Sequence, residues 1–430
     1  MTNKICLIPD LTNAYNVKMM ADLSSALQQI GYDAHHHTTP VEDNALNGFV
    51  EKNGFNTVVR INKLPPEETK RSNNFRHISW FQDVFPSLKI NDNCFQHDDL
   101  VCTLGTKETL GLDIKAKRYA GSFNLFINPS DFHQQKLRYG KQKYDANLVG
   151  FIPDVPWVSK LENVVKEKTK VSISKKLHYL QIYFKRLTMI MLKGEFQKLS
   201  FANIQYALHK IYFGEFTLNE DDTPTLIAQK IENEYDILGG SLDLRMLLYT
   251  IEEMFGKDTV QENLETIDFC LRELPRFLDR YVLALAVSKV TRNLIICGNN
   301  WELYNIFTPF VHRTISIEES FNIFANSKLT LQNNNHGIGI HSRTLSAMAV
   351  GGFIFTHTSP RDELPGGMKS AFEPGVHYGS FDLDNITEET QRWLSSDNER
   401  DKVAERGRQY VLSEMHWGKG AAQFAKMIDL

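Results

Sequence analysis

FNIFANSKLTLQNNNHGIGIHSRTLSAMAVGGFIF, residues 321–355, is the stretch that decides the fold. Lys328–Gln332 is a short β-prone run. Asn333–Ile340 follows as a polar loop with three asparagines and two glycines. His341–Val350 has helical apolar spacing at Leu345, Met348 and Ala349, Gly351-Gly352 stops it, and Phe353–Thr356 resumes as a buried strand. The pattern predicts a helix N-terminus beside the C-terminal end of a strand, with Arg343 in the first turn. Backbone N–H groups and a guanidinium fork meeting there favour an anion, above all a phosphate. The same pattern also fits a βαβ unit of any α/β protein, with Arg343 on a solvated helix face.

Working outward, Arg292–Cys297 is a strand that runs straight into Gly298-Asn299-Asn300-Trp301, and Glu318–Asn326 is a helix. Towards the N-terminus, Lys4–Pro9, Asn56–Ile61, His77–Phe81, Leu100–Leu104, Ser122–Ile127 and Ala146–Ile152 alternate with helix-like segments. That alternation predicts a parallel sheet with ligands at the strands' C-terminal ends, where the Trp80–Asp83 corner lies. Between the halves, residues 159–282 read as mostly helical. From Lys160 to Lys198 there are ten Lys or Arg against three Glu, a basic amphipathic stretch that suits either a solvated face or peripheral contact with the inner face of a membrane. The expected domains are 1–158, a helical connector 159–282, 283–415, and a tail 416–430 returning to the first domain. Closure is expected about a hinge near residue 283.

The chain has 430 residues with 42% hydrophobic and 23% charged content, and a net charge of -4 gives no general case for nucleic acid. No apolar run is long enough to span a bilayer. The N-terminus begins directly with a strand pattern, and the five cysteines are scattered without metal-like spacing, so a cytoplasmic location is expected. His35-His36-His37 reads as a surface loop, because neighbours in an extended chain alternate sides.

The order of features in the second half resembles the CgeB/YkvP-like glycosyltransferases. The pieces are Ile296–Trp301 (ICGNNW), Ile315–Phe324 (ISIEESFNIF), the Asn-rich loop Leu329–Gly339, the Arg343–Gly352 helix, Glu373-Pro374-Gly375, and Gly407–Trp417 (GRQYVLSEMHW). The resemblance implies an α/β fold of the GT-B type, two Rossmann-like domains facing a cleft, here with a large helical segment between them. It implies transfer of a sugar from a nucleotide-sugar donor, bound by the second domain, to a glycan, lipid-linked or protein acceptor. The implied donor-binding residues are Gly298, Asn299, Trp301, Asn335, His336, Gly337, His341, Ser342, Arg343, Ser346 and Glu373. One departure stands out: where the family commonly has Glu three residues after the Arg, able to bind the donor ribose, this chain has Ser346. A hydroxyl cannot replace a carboxylate that accepts two hydrogen bonds from a diol, which leaves the nucleotide open and admits a CMP-activated acidic sugar.

Breaking the sugar–phosphate bond places negative charge on the leaving group. No paired-aspartate signature stands out at a strand end, so a metal-independent reaction, with no cofactor beyond the nucleotide sugar, is expected, the charge being met by Arg343 and backbone N–H groups. Gly298 and Gly337 would let backbone approach the ligand. An inverting reaction needs a base from the first domain. Asp83 is the first candidate and Asp10 the second; each also reads as a turn or cap residue. Alternatives are a non-catalytic nucleotide- or glycan-binding protein that keeps the fold, and a nucleotide-sugar epimerase.

Overall fold

In the computed structural model, residues 4–66, 75–84, 94–96, 98–132, 142–154, 264–313, 315–334, 337–382 and 385–428 are described. The basic stretch 160–198, and most of the expected connector, lie outside them.

Among the described residues the chain forms two six-stranded sheets, each paired in parallel throughout. The first contains β1 (Lys4–Ile8), β2 (Asp33–His36), β3 (Thr57–Ile61), β4 (Arg76–Phe81), β5 (Leu100–Thr103) and β6 (Tyr119–Ser122), in the order β2-β1-β3-β4-β5-β6. Its helices include α1 (Ala14–Gln29), capped by Asn13, whose side chain accepts from Asn16 N at 2.8 Å, and α2 (Asp43–Asn53). Met20, Leu23 and Leu27 form the buried face of α1 against the sheet.

The second sheet contains β7 (Tyr144–Val149), β8 (Leu294–Cys297), β9 (Val311–His312), β10 (Ser327–Gln332), β11 (Ile354–His357) and β12 (Gly379–Phe381), in the order β12-β11-β10-β7-β8-β9. The order reverses between β7 and β10, and ligands of such sheets bind in the crevice beyond the strands' C-terminal ends at that point. Helices here are α3 (Leu264–Val290), α4 (Ile317–Ala325), α5 (Ser342–Ala349), α6 (Ile386–Ser395) and α7 (Asp397–Glu414). A capping box starts α4: Ser316 Oγ accepts from Glu319 N at 3.1 Å and Glu319 accepts from Ser316 N at 2.9 Å. The expected α/β organisation of two Rossmann-like domains facing a cleft holds.

Two boundaries differ from the sequence reading. The strand at 144–149 belongs to the second sheet, so the first domain ends before it rather than at 158. Inside β7, the buried Asn147 amide donates to Thr330 Oγ1 at 2.9 Å and reaches Leu329 O on β10. A long segment lies between β7 and its crossover helix α3, and that separation in sequence conceals the pairing. The 282/283 boundary falls inside α3, a continuous helix of 27 residues whose Phe277, Leu283 and Val287 pack under the second sheet. The short strand expected at Ser122–Ile127 is instead β6, which ends at Ser122 where the expected strand begins, and Ile127 makes an isolated bridge to His416.

The last helix, α8 (Trp417–Ile428), lies against the first domain. Its Trp417 packs on Phe123 and Phe126, and the chain is pinned on both sides of the crossing: Ile127 N donates to Met415 O at 2.9 Å and Trp417 N to Ile127 O at 3.0 Å.

Candidate donor and acceptor site

The N-terminus of α5 is built by His341, whose Nδ1 accepts from Arg343 N at 3.2 Å. Burial, helped by the nearby arginine charges, holds the His341 pKa well below its ordinary value, so the ring is neutral and can accept. Thr344 Oγ1 donates to Gly339 O at 2.8 Å, tying the preceding loop to the helix. Buried Leu345, Ala347 and Met348 anchor the helix in the core. Arg343 then reaches back to the end of β7 and donates to Val149 O at 2.7 Å.

Three more arginines join it. Arg272, Arg276 and Arg280 recur every fourth residue on α3 and so share one face of the helix. Together with Arg343, His341, Asn333 and Ile338 of the second domain, and Gln82, Asp83, Val84 and Leu104 of the first, they line an interdomain cavity of about 190 Å³. Arg280 is buried, donates to Asn333 Oδ1 at 2.9 Å and also to Phe151 O. The guanidinium groups of Arg276 and Arg280 lie 5.3 and 5.0 Å from the Phe151 ring centre. Burial first, and the Arg343 and Arg276 charges second, pull the Arg280 pKa well down; burial and then Arg276 bring Arg343 to about 10. A guanidinium keeps its proton at neutral pH. Glu273 and Asp279 act on Arg280 in the opposite sense, but the guanidinium groups of the cluster outnumber them, which is the condition an anionic ligand relieves.

Asp83 forms part of the opposite wall. Its Oδ2 accepts from Asn62 Nδ2 at 2.8 Å, and the same amide lies 3.5 Å from Asp10 Oδ2. Asn62 also accepts from Gln82 N at 2.8 Å and sits in the left-handed region with φ 53°. One asparagine thus fixes the loops carrying both candidate bases; Asp83 lines the cavity and Asp10 stands behind it.

The other sequence-derived residues are dispersed. Ser342 and Ser346 line a second cavity of about 80 Å³ with Tyr15, Lys18, Asp131 and Trp417, and neither is among the residues lining the arginine cavity. Trp301 is fully buried; its Nε1 donates to Gly150 O at 2.7 Å and its ring meets Phe307 edge-on. Gly298 (φ +141°) has Gly150 O only 2.3 Å from where a Cβ would stand, and Gly337 (φ +75°) has Arg361 Cβ at 2.5 Å. At both glycines the close neighbour is protein. Asn299 contributes a carbonyl to Ile152 N at 3.1 Å. Glu373 is exposed, and its backbone N–H donates to His377 Nδ1 at 3.0 Å. Asn335 and His336 lie outside the described residues.

The α3 arginines were not singled out in the sequence, where they read as part of a helical connector. Their signal was present in LRELPRFLDR, cations at helical spacing on a stretch leading into a strand. Gln82 and Asn333 fall in stretches the sequence already marked, the Trp80–Asp83 corner and the Asn-rich loop, whereas Asn62 carries no distinctive sequence signal.

Residues 272–426 match the family model described as glycosyl transferase-like. That span begins at Arg272 and takes in the whole arginine cluster and the second sheet apart from β7. No curated protein matches the chain. Similar solved structures include a glycosyltransferase from Rickettsia africae (10% identity, 100% of this chain and 98% of that one, TM-score 0.47). Another is Anabaena HepE in complex with UDP and glucose (8% identity, 99% of each chain, TM-score 0.46). A third is AviGT4, a glycosyltransferase of avilamycin A biosynthesis (10% identity, 99% and 97%, TM-score 0.48). With scores below 0.5, these likenesses carry no residue-level correspondence.

Among the described residues no cluster of three His, Cys, Asp or Glu is placed to hold a metal ion, and no helix is long and apolar enough to cross a membrane. His35 of the histidine run pairs with Asp33 at 2.8 Å on β2, at the edge of its sheet.

Proposed function

We propose that the protein is a glycosyltransferase that takes a nucleoside-diphosphate sugar in the arginine cavity and passes the sugar to an acceptor held against the first domain. The observation that carries this reading is the convergence of Arg280, Arg343 and the α5 N-terminus on the crevice where the second sheet reverses its strand order. The glycosyl transferase-like match over the same residues supports it.

In this reading the two inner arginines and the α5 N–H groups receive the donor's diphosphate. The acceptor oxygen attacks the anomeric carbon as the bond from that carbon to the phosphate oxygen breaks. The arginines then stabilise the charge left on the diphosphate without a metal. For an inverting reaction Asp83 takes the acceptor's proton, its carboxylate oriented by Asn62. Asp10 serves as a second carboxylate behind it. The base is left open: UDP, GDP and dTDP sugars would supply the diphosphate, and a CMP sugar, whose leaving group carries a single phosphate, would engage the same inner arginines. The ordered motifs of the second half favour a CgeB/YkvP-like enzyme among glycosyltransferases.

Isothermal titration with UDP, GDP, dTDP and CMP, followed by mass spectrometry of products from the matching sugar donors, tests the proposal. One nucleotide should bind, and its sugar donor should be turned over by transfer or slow hydrolysis. Binding to none of the four contradicts the proposal. Binding without turnover of any donor supports a nucleotide-binding protein instead.

A further inference from the structure

The arginine row is longer than a diphosphate needs. Successive members are four residues apart, so each step along α3 is about 6 Å and Arg272 stands about 12 Å from Arg280 along the axis. A diphosphate, its two phosphorus atoms sharing one bridging oxygen, covers about one such step, not two. Arg280 and Arg343 form the inner pair, each fixed by a backbone carbonyl at the strand ends. Arg272 and Arg276 form an outer pair held differently. Both lean on one carboxylate, Glu273, at 3.2 Å from Arg272 and 2.8 Å from Arg276. Two guanidinium groups on one carboxylate leave a net positive charge. Their side chains keep 43% and 25% exposure, so that charge is accessible from the cleft.

We infer that Arg272 and Arg276 form a second anion subsite, and that the acceptor this cleft takes carries a phosphate or carboxylate near the hydroxyl that receives the sugar. The inference rests on the donor reading above. The outer pair shares its cavity with Gln82 and Asp83, the wall from which the acceptor is approached. A neutral acceptor closing over two under-neutralised cations would remove their water and return nothing. An anionic one replaces the lost hydration with charge-assisted, forked hydrogen bonds. The crowding is felt inside the cluster too: the Arg276 charge adds to burial in lowering the Arg343 pKa.

The test uses the full chain. The protein is saturated with UDP, or whichever of GDP, dTDP and CMP binds, and then titrated separately with inorganic phosphate, glycerol phosphate and glucuronate. The loaded protein should bind at least one of these in a second event, and the arm that responds distinguishes a phosphate-bearing from a uronic-acid acceptor. R272Q/R276Q should weaken that event tenfold or more while changing nucleotide affinity less than threefold. R272Q alone, at the more exposed position, should weaken it about threefold, with unchanged thermal unfolding. If the loaded protein binds none of the three, or binds them equally well after substitution, the inference is overturned and the donor reading stands. If no nucleotide binds, the donor reading fails and this inference fails with it.

Discussion

Arg343 links three parts of the molecule through one side chain. Its backbone N–H is capped by His341, its guanidinium holds Val149 O at the end of β7, and its remaining donors border the cleft. Replacing it with alanine removes charge-assisted hydrogen bonds worth about 1.5–3 kcal/mol, so nucleotide affinity measured by titration should fall roughly ten- to a hundredfold. R343K should fall between, since it keeps the charge but not the fork. Unchanged affinity in R343A would remove this residue from the donor site. His357 gives a second prediction. Buried under the loop, it accepts from Asn334 N at 2.8 Å, and burial lowers its pKa from 6.5 to about 4. The unfolded chain therefore takes up a proton before the native protein does. The stability from the neutral ring is complete above about pH 6.5 and is lost as pH falls towards 4. Between pH 7 and pH 5 that loss is about 2 kcal/mol, and buried His341 acts in the same direction. Urea midpoints across this range should show the fall. H357Q, which keeps an acceptor that does not titrate, should show a shallower one. An acid limb identical in the two proteins would contradict the assignment.

At the level of elements, the strand–loop–helix–strand unit at 321–355 was legible because each boundary has a local cause. Gly351, at φ +81°, ends the helix and His341 begins it. Partnership between strands was not legible. Nothing in the residues of β7 states that its neighbours are Thr330 and Ile295, and the segment before α3 hides the crossover that would have told. The same break placed Arg272, Arg276 and Arg280 in a connector when they belong to the first crossover helix of the second domain. Ser342 and Ser346 show a related limit. Sequence spacing puts them on the helix that carries Arg343, but the packing around α5 decides that they face Tyr15 and Lys18 instead. The α8 helix supplies an element-scale prediction. Trp417 is buried against Phe123 and Phe126, so Trp417→Ala should cost about 3–5 kcal/mol of stability and release the tail from the first domain. Thermal unfolding, with limited proteolysis near residue 415, reads both effects. An unchanged melting temperature would mean that the tail contributes little to the first domain.

For the whole molecule, the organising fact is that both parallel sheets turn towards one cleft and contribute opposite chemistry to it. The first domain brings Asp83 steadied by Asn62; the second brings four arginines and a helix N-terminus. The chain crosses back at Met415–Trp417, so the two walls are joined by packed elements and not only by the connection between them. Everything proposed about transfer depends on where the diphosphate sits. The most direct measurement is a crystal structure of the protein soaked with UDP, GDP, dTDP or CMP. The account predicts a bound nucleotide with phosphate oxygens within hydrogen-bond distance of Arg280 or Arg343 and of the α5 backbone N–H groups. A nucleotide seated elsewhere, with the arginine cavity empty of phosphate, would contradict it.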